Sequence, residues 1–350
     1  MSPSWPDLLS GLVAGEDLDA GRSSWAMNQI LAGEATPAQI AGFLVALQAK
    51  GATAAEIDGL VAGMLDNARP VALDSTGAVD IVGTGGDRAN TVNVSTMAAV
   101  LAAAAGAPVI KHGNRAASSA CGTADCLEAL GVVLDLDPSD QQEVFQATGI
   151  VFLFAALYHP SLRHAAVARR ELGIRTPFNV LGPLANPAQP AAAALGVADA
   201  ATASLMAQVL AARGTRGLVF HGGDGLDELT TTGPSDVWVV IDGEVTPTRL
   251  DPADLGIPRS TAEALVGGDA THNAQVVRDT FAGKPGAVRD IVVLNAASAL
   301  LAAEGPDPAR SLAEQMTPQV ARAAAAIDSG AASRLLDHWV AVTSSIAARR

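Results

Sequence analysis

Asp227 and Glu228 are adjacent carboxylates within H-G-G-D-G-L-D-E-L-T-T-T-G-P, residues 221–234. Hard oxygen ligands in a glycine-rich bend suit a Mg2+ ion that shares its coordination with water and substrate phosphate. Alone, such a pair is more often a favourable charge pair at a helix N-terminus. Two upstream segments shift the balance toward metal. The first is D-I-V-G-T-G-G-D-R-A-N-T-V-N-V-S-T, residues 80–96, which runs from a short apolar strand through glycines to a helix start. Backbone N–H groups and the helix dipole can converge there on an anion. A glycine-rich turn is equally often a plain tight turn, but Thr91, Asn93, Ser95 and Thr96 add hydroxyl and amide donors. The second is K-H-G-N-R-A-A-S-S-A-C-G-T-A-D-C-L-E-A-L-G, residues 111–131. It sets Lys111, Asn114, Arg115, Ser118 and Ser119 on a loop at a strand's C-terminal end, where α/β sheets bind ligands.

Other chemistries lack their residues. No G-K-[ST] follows the first turn, and Arg88 stands where a dinucleotide-binding turn has its third glycine. His159 and His164 have the wrong spacing for a zinc helix, and Cys121 and Cys126 are not a C-x-x-C pair. No G-x-S-x-G occurs, so there is no nucleophile elbow for a serine hydrolase.

The elements that must carry these loops alternate. Residues 1 to about 70 read as helices: Leu8, Leu9, Leu12 and Val13 repeat at helical spacing, as do Ile40, Phe43, Leu44 and Leu47. Thr36-Pro37 marks a helix start, and Thr53 to Glu56 has the form of a capping box. From Ala78 the texture changes. Residues 78–82 form a strand, Ser95 to Ala105 a helix, and Ala107 to Ile110 a second strand. Ala201 to Arg213 reads as a helix, and Leu218 to His221, Val237 to Ile241 and Ile291 to Leu294 as strands. The alternation implies an α/β fold with a central, mostly parallel sheet. Residues 161–184 interrupt it with a helix, His164 to Leu172, and a Pro-rich turn.

The 350 residues carry a formal net charge of −14. That disfavours nucleic acid or an anionic membrane as partner, since either needs a broad basic surface. A small polyanion needs only a local positive pocket, and one of only three lysines, Lys111, sits beside an apolar strand. No secretory signal is visible at the start, and the most apolar segment, Met97 to Ile110, is too short to span a bilayer. Two cysteines make no disulfide framework. The expected location is the cytoplasm.

The three loops, in this order, resemble the anthranilate phosphoribosyltransferase family. The resemblance extends over nearly the whole chain: T-P-A-Q-I-A-G-F-L-V-A-L (residues 36–47), G-T-G-G-D, N-V-S-T, K-H-G-N-R-A-A-S-S, H-P-S-L-R-H-A-A-V-A-R-R, N-V-L-G-P-L-A-N-P and G-L-D-E-L-T-T-T-G-P. It implies a small all-helical domain, residues 1–73 joined by about 161–184, beside a large α/β domain of residues 74–160 and 185–350. The reaction would lie in the cleft between them. The implied activity joins the amine of anthranilate to phosphoribosyl pyrophosphate (PRPP) in tryptophan biosynthesis, with Mg2+ as cofactor, in a homodimer. Carried over by position, the PRPP site comprises Gly83, Gly86, Asp87, Thr91, Asn93, Val94, Ser95 and Thr96. It continues through Lys111, His112, Gly113, Asn114, Arg115, Ala116, Ala117, Ser118 and Ser119 to Thr123. Gly83, Asn114 and Arg169 match anthranilate contacts, and the planar fork of Arg169 suits a carboxylate. Ser95, Asp227 and Glu228 match metal ligands. No general acid or base is assigned, because an unprotonated aniline nitrogen is already a nucleophile. A pyrimidine nucleoside phosphorylase, which shares the fold and the glycine turn, would carry a different sequence at K-H-G-N-R and need no Mg2+.

Around the second loop the chain departs from the family's commoner form, with Ala120 for a frequent Lys and Cys121 for a frequent Ser. Lys111, Arg115 and the following helix start would lower the pKa of Cys121 if it is exposed, whereas Cys126 falls at a buried helical spacing.

Overall fold

The computed structural model describes residues 3–116 and 120–349. It opens with α1 (Trp5–Val13), α2 (Ala20–Leu31), α3 (Pro37–Lys50) and α4 (Ala54–Asp66). Then come β1 (Val79–Gly83), α5 (Val94–Ala104), β2 (Val109–Gly113), α6 (Thr123–Leu130), α7 (Gln141–Thr148) and β3 (Ile150–Phe154). Two helices follow, α8 (Ala155–Tyr158) and α9 (Arg163–Leu172), and then β4 (Ala192–Gly196), α10 (Ala200–Ala212), β5 (Arg216–Gly222), β6 (Ser235–Ile241) and β7 (Glu244–Leu250). The chain closes with α11 (Ala270–Phe281), α12 (Ala287–Glu304), α13 (Leu312–Asp328) and α14 (Ala331–Ala347).

These elements form two compact units, residues 1–70 with 155–187 and residues 71–154 with 188–350. In the helical unit, α2 packs on α4, α1 on α3, and α9 on both α2 and α3. The apolar spacings explain why. Leu8 and Leu12 of α1 and Ile40, Phe43, Leu44 and Leu47 of α3 are all buried. Both Thr36 and Thr53 cap their helices reciprocally, with Gln39 and Glu56 reaching back to the cap backbone. Val13, of the same apolar repeat, is 80% exposed.

The second unit is built on a seven-stranded sheet in the order β3-β2-β1-β4-β5-β6-β7. The first five strands are mutually parallel, and β6 and β7 add antiparallel. Val79, Ile81, Val109, Ile110, Leu195, Leu218 and Phe220 fill its core. Helices α5 and α12 pack on each other, and both pack on β1.

One expected strand is absent. Ile291 to Leu294 lies inside α12, buried on every side from Ile291 through Ala302. A short apolar run is consistent with either a buried strand or a buried helix, and length arbitrates. Here the run continues as N-A-A-S-A-L-L-A-A without Gly or Pro, long enough for a central helix.

Candidate active site

β1 leads to β2 on one side of the sheet, while β4 pairs with β1 on the other. This is the topological switch point, where ligands bind beyond the carboxyl ends of parallel strands. Gly83 ends β1 opposite Gly196, which ends β4. Above them sits the Asp227–Glu228 turn that follows β5. A Cβ on Gly83 would lie 2.1 Å from Asp227 Oδ2. The position must therefore be glycine for that carboxylate to settle there.

Each carboxylate is tied to one end of the glycine turn. The N–H of Gly85 donates to Asp227 Oδ2 at 2.6 Å, and the N–H of Ser95 donates to Glu228 Oε1 at 3.1 Å. The turn carrying the pair is itself clamped. Asn295, fully buried in α12, accepts from Leu229 N–H at 2.9 Å and donates to Leu229 O at 2.8 Å. Asp224 Oδ2 accepts from the hydroxyls of Thr230 and Thr232, each at 2.6 Å.

Burial, aided by repulsion from Asp87, pushes the Asp227 carboxyl up to about 6. Glu228 is pushed well above the usual carboxylate range by burial and then by the charge of Asp227. Lys111, buried in β2, donates to Ile81 O and to Ser95 Oγ, the latter at 3.3 Å. Burial lowers its pKa, while Asp80, Glu228 and Asp227 oppose that by favouring the ammonium. Asp80 also accepts from the His112 N–H at 3.2 Å, which holds the start of the second loop to β1. Two crowded carboxylates with a hydroxyl beside them form a hard-oxygen donor set in which Lys111 is the one nearby cation among the described residues. Ser95, Asp227 and Glu228 thus fit a divalent cation that completes its sphere with water and phosphate.

The remaining first-loop positions fall as follows. Asp87 Oδ1 accepts from Ala89 N–H at 3.2 Å, next to Gly86. Thr91 lies beside Val266 in an isolated β-bridge, and Val94 is buried at the start of α5. The Asn93 side-chain amide donates to Cys121 O, at 3.1 Å, and does not cap its own helix. Thr96 reaches Thr123, hydroxyl to hydroxyl, at 3.4 Å, and so joins the first loop to the second.

In the second loop, Gly113 ends β2, and Asn114 is exposed and turned back on Arg115 N–H at 2.8 Å. Arg115 faces α6: its guanidinium pairs with Asp125 at 2.9 Å and with Glu128 at 2.6 Å, and lies 5.4 Å from the centre of the Phe154 ring. Asp125 further accepts from the N–H groups of Ala116 and Gly122, closing the loop on the helix start. Ala117, Ser118 and Ser119 lie outside the described residues.

Neither cysteine is in a disulfide, and both are buried. The Cys121 thiol is held below its ordinary range, first by a hydrogen bond with Cys126. The cations named in the sequence reading contribute little, because Arg115 is engaged by carboxylates. The exposure that reactivity needs is missing.

Arg169 belongs to the helical unit, in the last turn of α9, with its guanidinium 5.9 Å from the centre of the Phe178 ring. Burial lowers its pKa, and no carboxylate among the described residues pairs with it. Sequence reasoning missed Asn295. The signal was present: one Asn inside a long apolar run must find polar partners when buried.

Comparisons with known proteins bear on the family and the fold. The Glycosyl transferase family, a/b domain, matches residues 75–333, and the Glycosyl transferase family, helical bundle domain, matches residues 6–68. An anthranilate phosphoribosyltransferase of Thermobifida fusca is 60% identical, over 96% of this chain and 96% of its own length. The crystal structure of the Thermus thermophilus anthranilate phosphoribosyltransferase superposes with a TM-score of 0.89 at 40% identity, covering 96% of this chain and 99% of that one. The Saccharomyces cerevisiae enzyme in complex with PRPP and Mg gives 0.88 at 26% identity, over 97% and 98% of the two chains. The chain belongs to the anthranilate phosphoribosyltransferase family.

Proposed function

We propose that this chain transfers the phosphoribosyl group of PRPP to the anthranilate amine, giving N-(5-phosphoribosyl)anthranilate and pyrophosphate for tryptophan biosynthesis. The observation that carries the site assignment is the double tether: Asp227 on Gly85 N–H and Glu228 on Ser95 N–H. It sets two carboxylates against both ends of a glycine turn at the sheet's switch point.

In the reaction the amine nitrogen bonds to C1 of the ribose as the C–O bond to pyrophosphate breaks. The bonding pair leaves with pyrophosphate, and the nitrogen's extra proton passes to water. Mg2+ held by Ser95, Asp227 and Glu228 would neutralise charge on the departing pyrophosphate. Lys111 supplies a fixed positive charge below Ser95. The two loops would orient the phosphates, so catalysis is by placement and electrostatics rather than by a covalent step. Arg169, with no carboxylate partner among the described residues, takes the anthranilate carboxylate together with contacts at Gly83 and Asn114.

The same reading makes the enzyme a Mg2+-dependent, cytoplasmic homodimer with no nucleic-acid or membrane partner. Two cysteines outside any disulfide support a reducing compartment. Among the described residues no helix is long and apolar enough to cross a membrane. The test is anthranilate fluorescence. It should decay only when PRPP and Mg2+ are both added, and decay with inorganic phosphate and a nucleoside, or none with PRPP, overturns the reading.

A further inference from the structure

Asn273 lies in the first turns of α11, 2% exposed, at a helical position where Asn has no intrinsic advantage. Its Nδ2 donates to Asn93 Oδ1 at 2.8 Å, and its Oδ1 accepts from Gly268 N–H at 2.8 Å. Asn93 Nδ2 in turn donates to Cys121 O at 3.1 Å. The relay has backbone groups at both ends, and these settle the orientation of both amides. Gly268 N–H can only donate, so Asn273 must present its oxygen there and its nitrogen to Asn93. Cys121 O can only accept, so Asn93 must present its nitrogen there.

The segment before α11 braces the same turn. Val92 N–H donates to Leu265 O at 2.9 Å, Gly267 N–H donates to Asn90 O at 2.8 Å, and Thr91 bridges Val266. A Cβ on Gly267 would stand 2.8 Å from Asn273 Oδ1 and 2.9 Å from Thr91 O. The strap and the amide therefore fit only because this residue is glycine.

From this geometry we infer that Asn273 is a positioning residue for PRPP: through Asn93 it holds the Thr91–Thr96 turn at a set distance from the loop ending at Cys121–Thr123. The inference rests on the proposed reading of these two loops as the PRPP site. It gives Asn93 a role distinct from phosphate contact. The Asn93 side chain is a clip between the loops, tied to Asn273 on one side and to Cys121 O on the other.

The experiment measures kcat and both KM values for Asn273→Ala, Asn273→Asp, Asn93→Ala and the double Asn93→Ala/Asn273→Ala in the full chain. Asn273→Asp keeps the shape and the acceptor for Gly268 but cannot donate to Asn93. It serves as the informative variant if Asn273→Ala fails to fold. Losing one buried hydrogen bond should raise the PRPP KM about tenfold, with anthranilate KM within about twofold. The double variant should match Asn93→Ala alone, because the two act through one link. Single effects that multiply in the double variant, unchanged PRPP KM, or equal rises in both KM values would overturn the relay. Ser95→Ala separates this from the underlying reading. If it impairs PRPP use while Asn273 variants are silent, only the relay fails. If Ser95→Ala is silent as well, the PRPP assignment of the turn fails and takes the relay with it.

Discussion

At the scale of single residues, the proposed site is built on charged groups taken out of water. Asp227 and Glu228 are crowded carboxylates of raised pKa, and Arg169 is a guanidinium without a carboxylate among the described residues. Arg115 shows the contrast, since Asp125 and Glu128 already neutralise it. Arg169→Ala should raise the anthranilate KM by about tenfold or more and leave the PRPP KM nearly unchanged, because it removes a carboxylate clamp only. Steady-state kinetics with each substrate varied in turn checks this, and parallel rises would place Arg169 elsewhere. Gly83→Ala probes the same site from below. Its Cβ would fall 2.1 Å from Asp227 Oδ2, so the carboxylate must move away from the Gly85 N–H. With the catalytic groups displaced by about 1 Å, kcat should drop at least about tenfold. A variant with normal kcat would show that Asp227 need not sit where it does.

At the scale of elements, the loops work because rigid neighbours hold them, and Asn295 of α12 is the clearest case. It bonds both the N–H and the C=O of Leu229, one residue past Glu228. Asn295→Ala would leave those buried groups unpaired, at a cost of about 2–3 kcal/mol. The urea midpoint should fall and kcat with it, whereas a stable, fully active variant would show the clamp to be dispensable. The sequence revealed the elements whose own chemistry announces them. β1, β2, β5 and β6 are apolar, β-branched runs bounded by turn residues, and the caps at Thr36 and Thr53 are legible from residue type alone. β4, A-A-A-L-G, has almost no strand propensity and pairs only because β1 and β5 flank it. β7 contains Pro247, tolerated because the strand is at the sheet's edge. The three loops of the site were readable as donor and acceptor sets. Their bracing was not, since Asn295 and Asn273 act across 66 and 180 residues of sequence.

At the scale of the whole molecule, the chain is acidic, with a net charge of −14, and Lys111 lies beneath the switch point, hydrogen-bonded to Ser95. Stability should also carry a signature of burial. His159, buried in the helical unit with Nε2 2.9 Å from Ala185 O, has its pKa lowered by desolvation. The unfolded chain titrates this group near its ordinary value of about 6.5 and binds a proton that the folded chain refuses. Its stabilising contribution is therefore complete above about pH 6.5 and is lost as pH falls toward the lower folded pKa. Thermal melts between neutral and mildly acid pH should show a smaller pH slope for His159→Gln than for the wild type, and identical slopes would exclude His159 as a source. In the proposed mechanism the Asp227–Glu228 pair, tethered to the glycine turn, handles the pyrophosphate end of PRPP. The most direct measurement is kcat of Asp227→Asn/Glu228→Gln across a Mg2+ titration. The account predicts a fall of about two orders of magnitude or more, the scale of losing a preorganised electrostatic group, that added Mg2+ does not restore. Near-normal turnover at ordinary Mg2+ would contradict it.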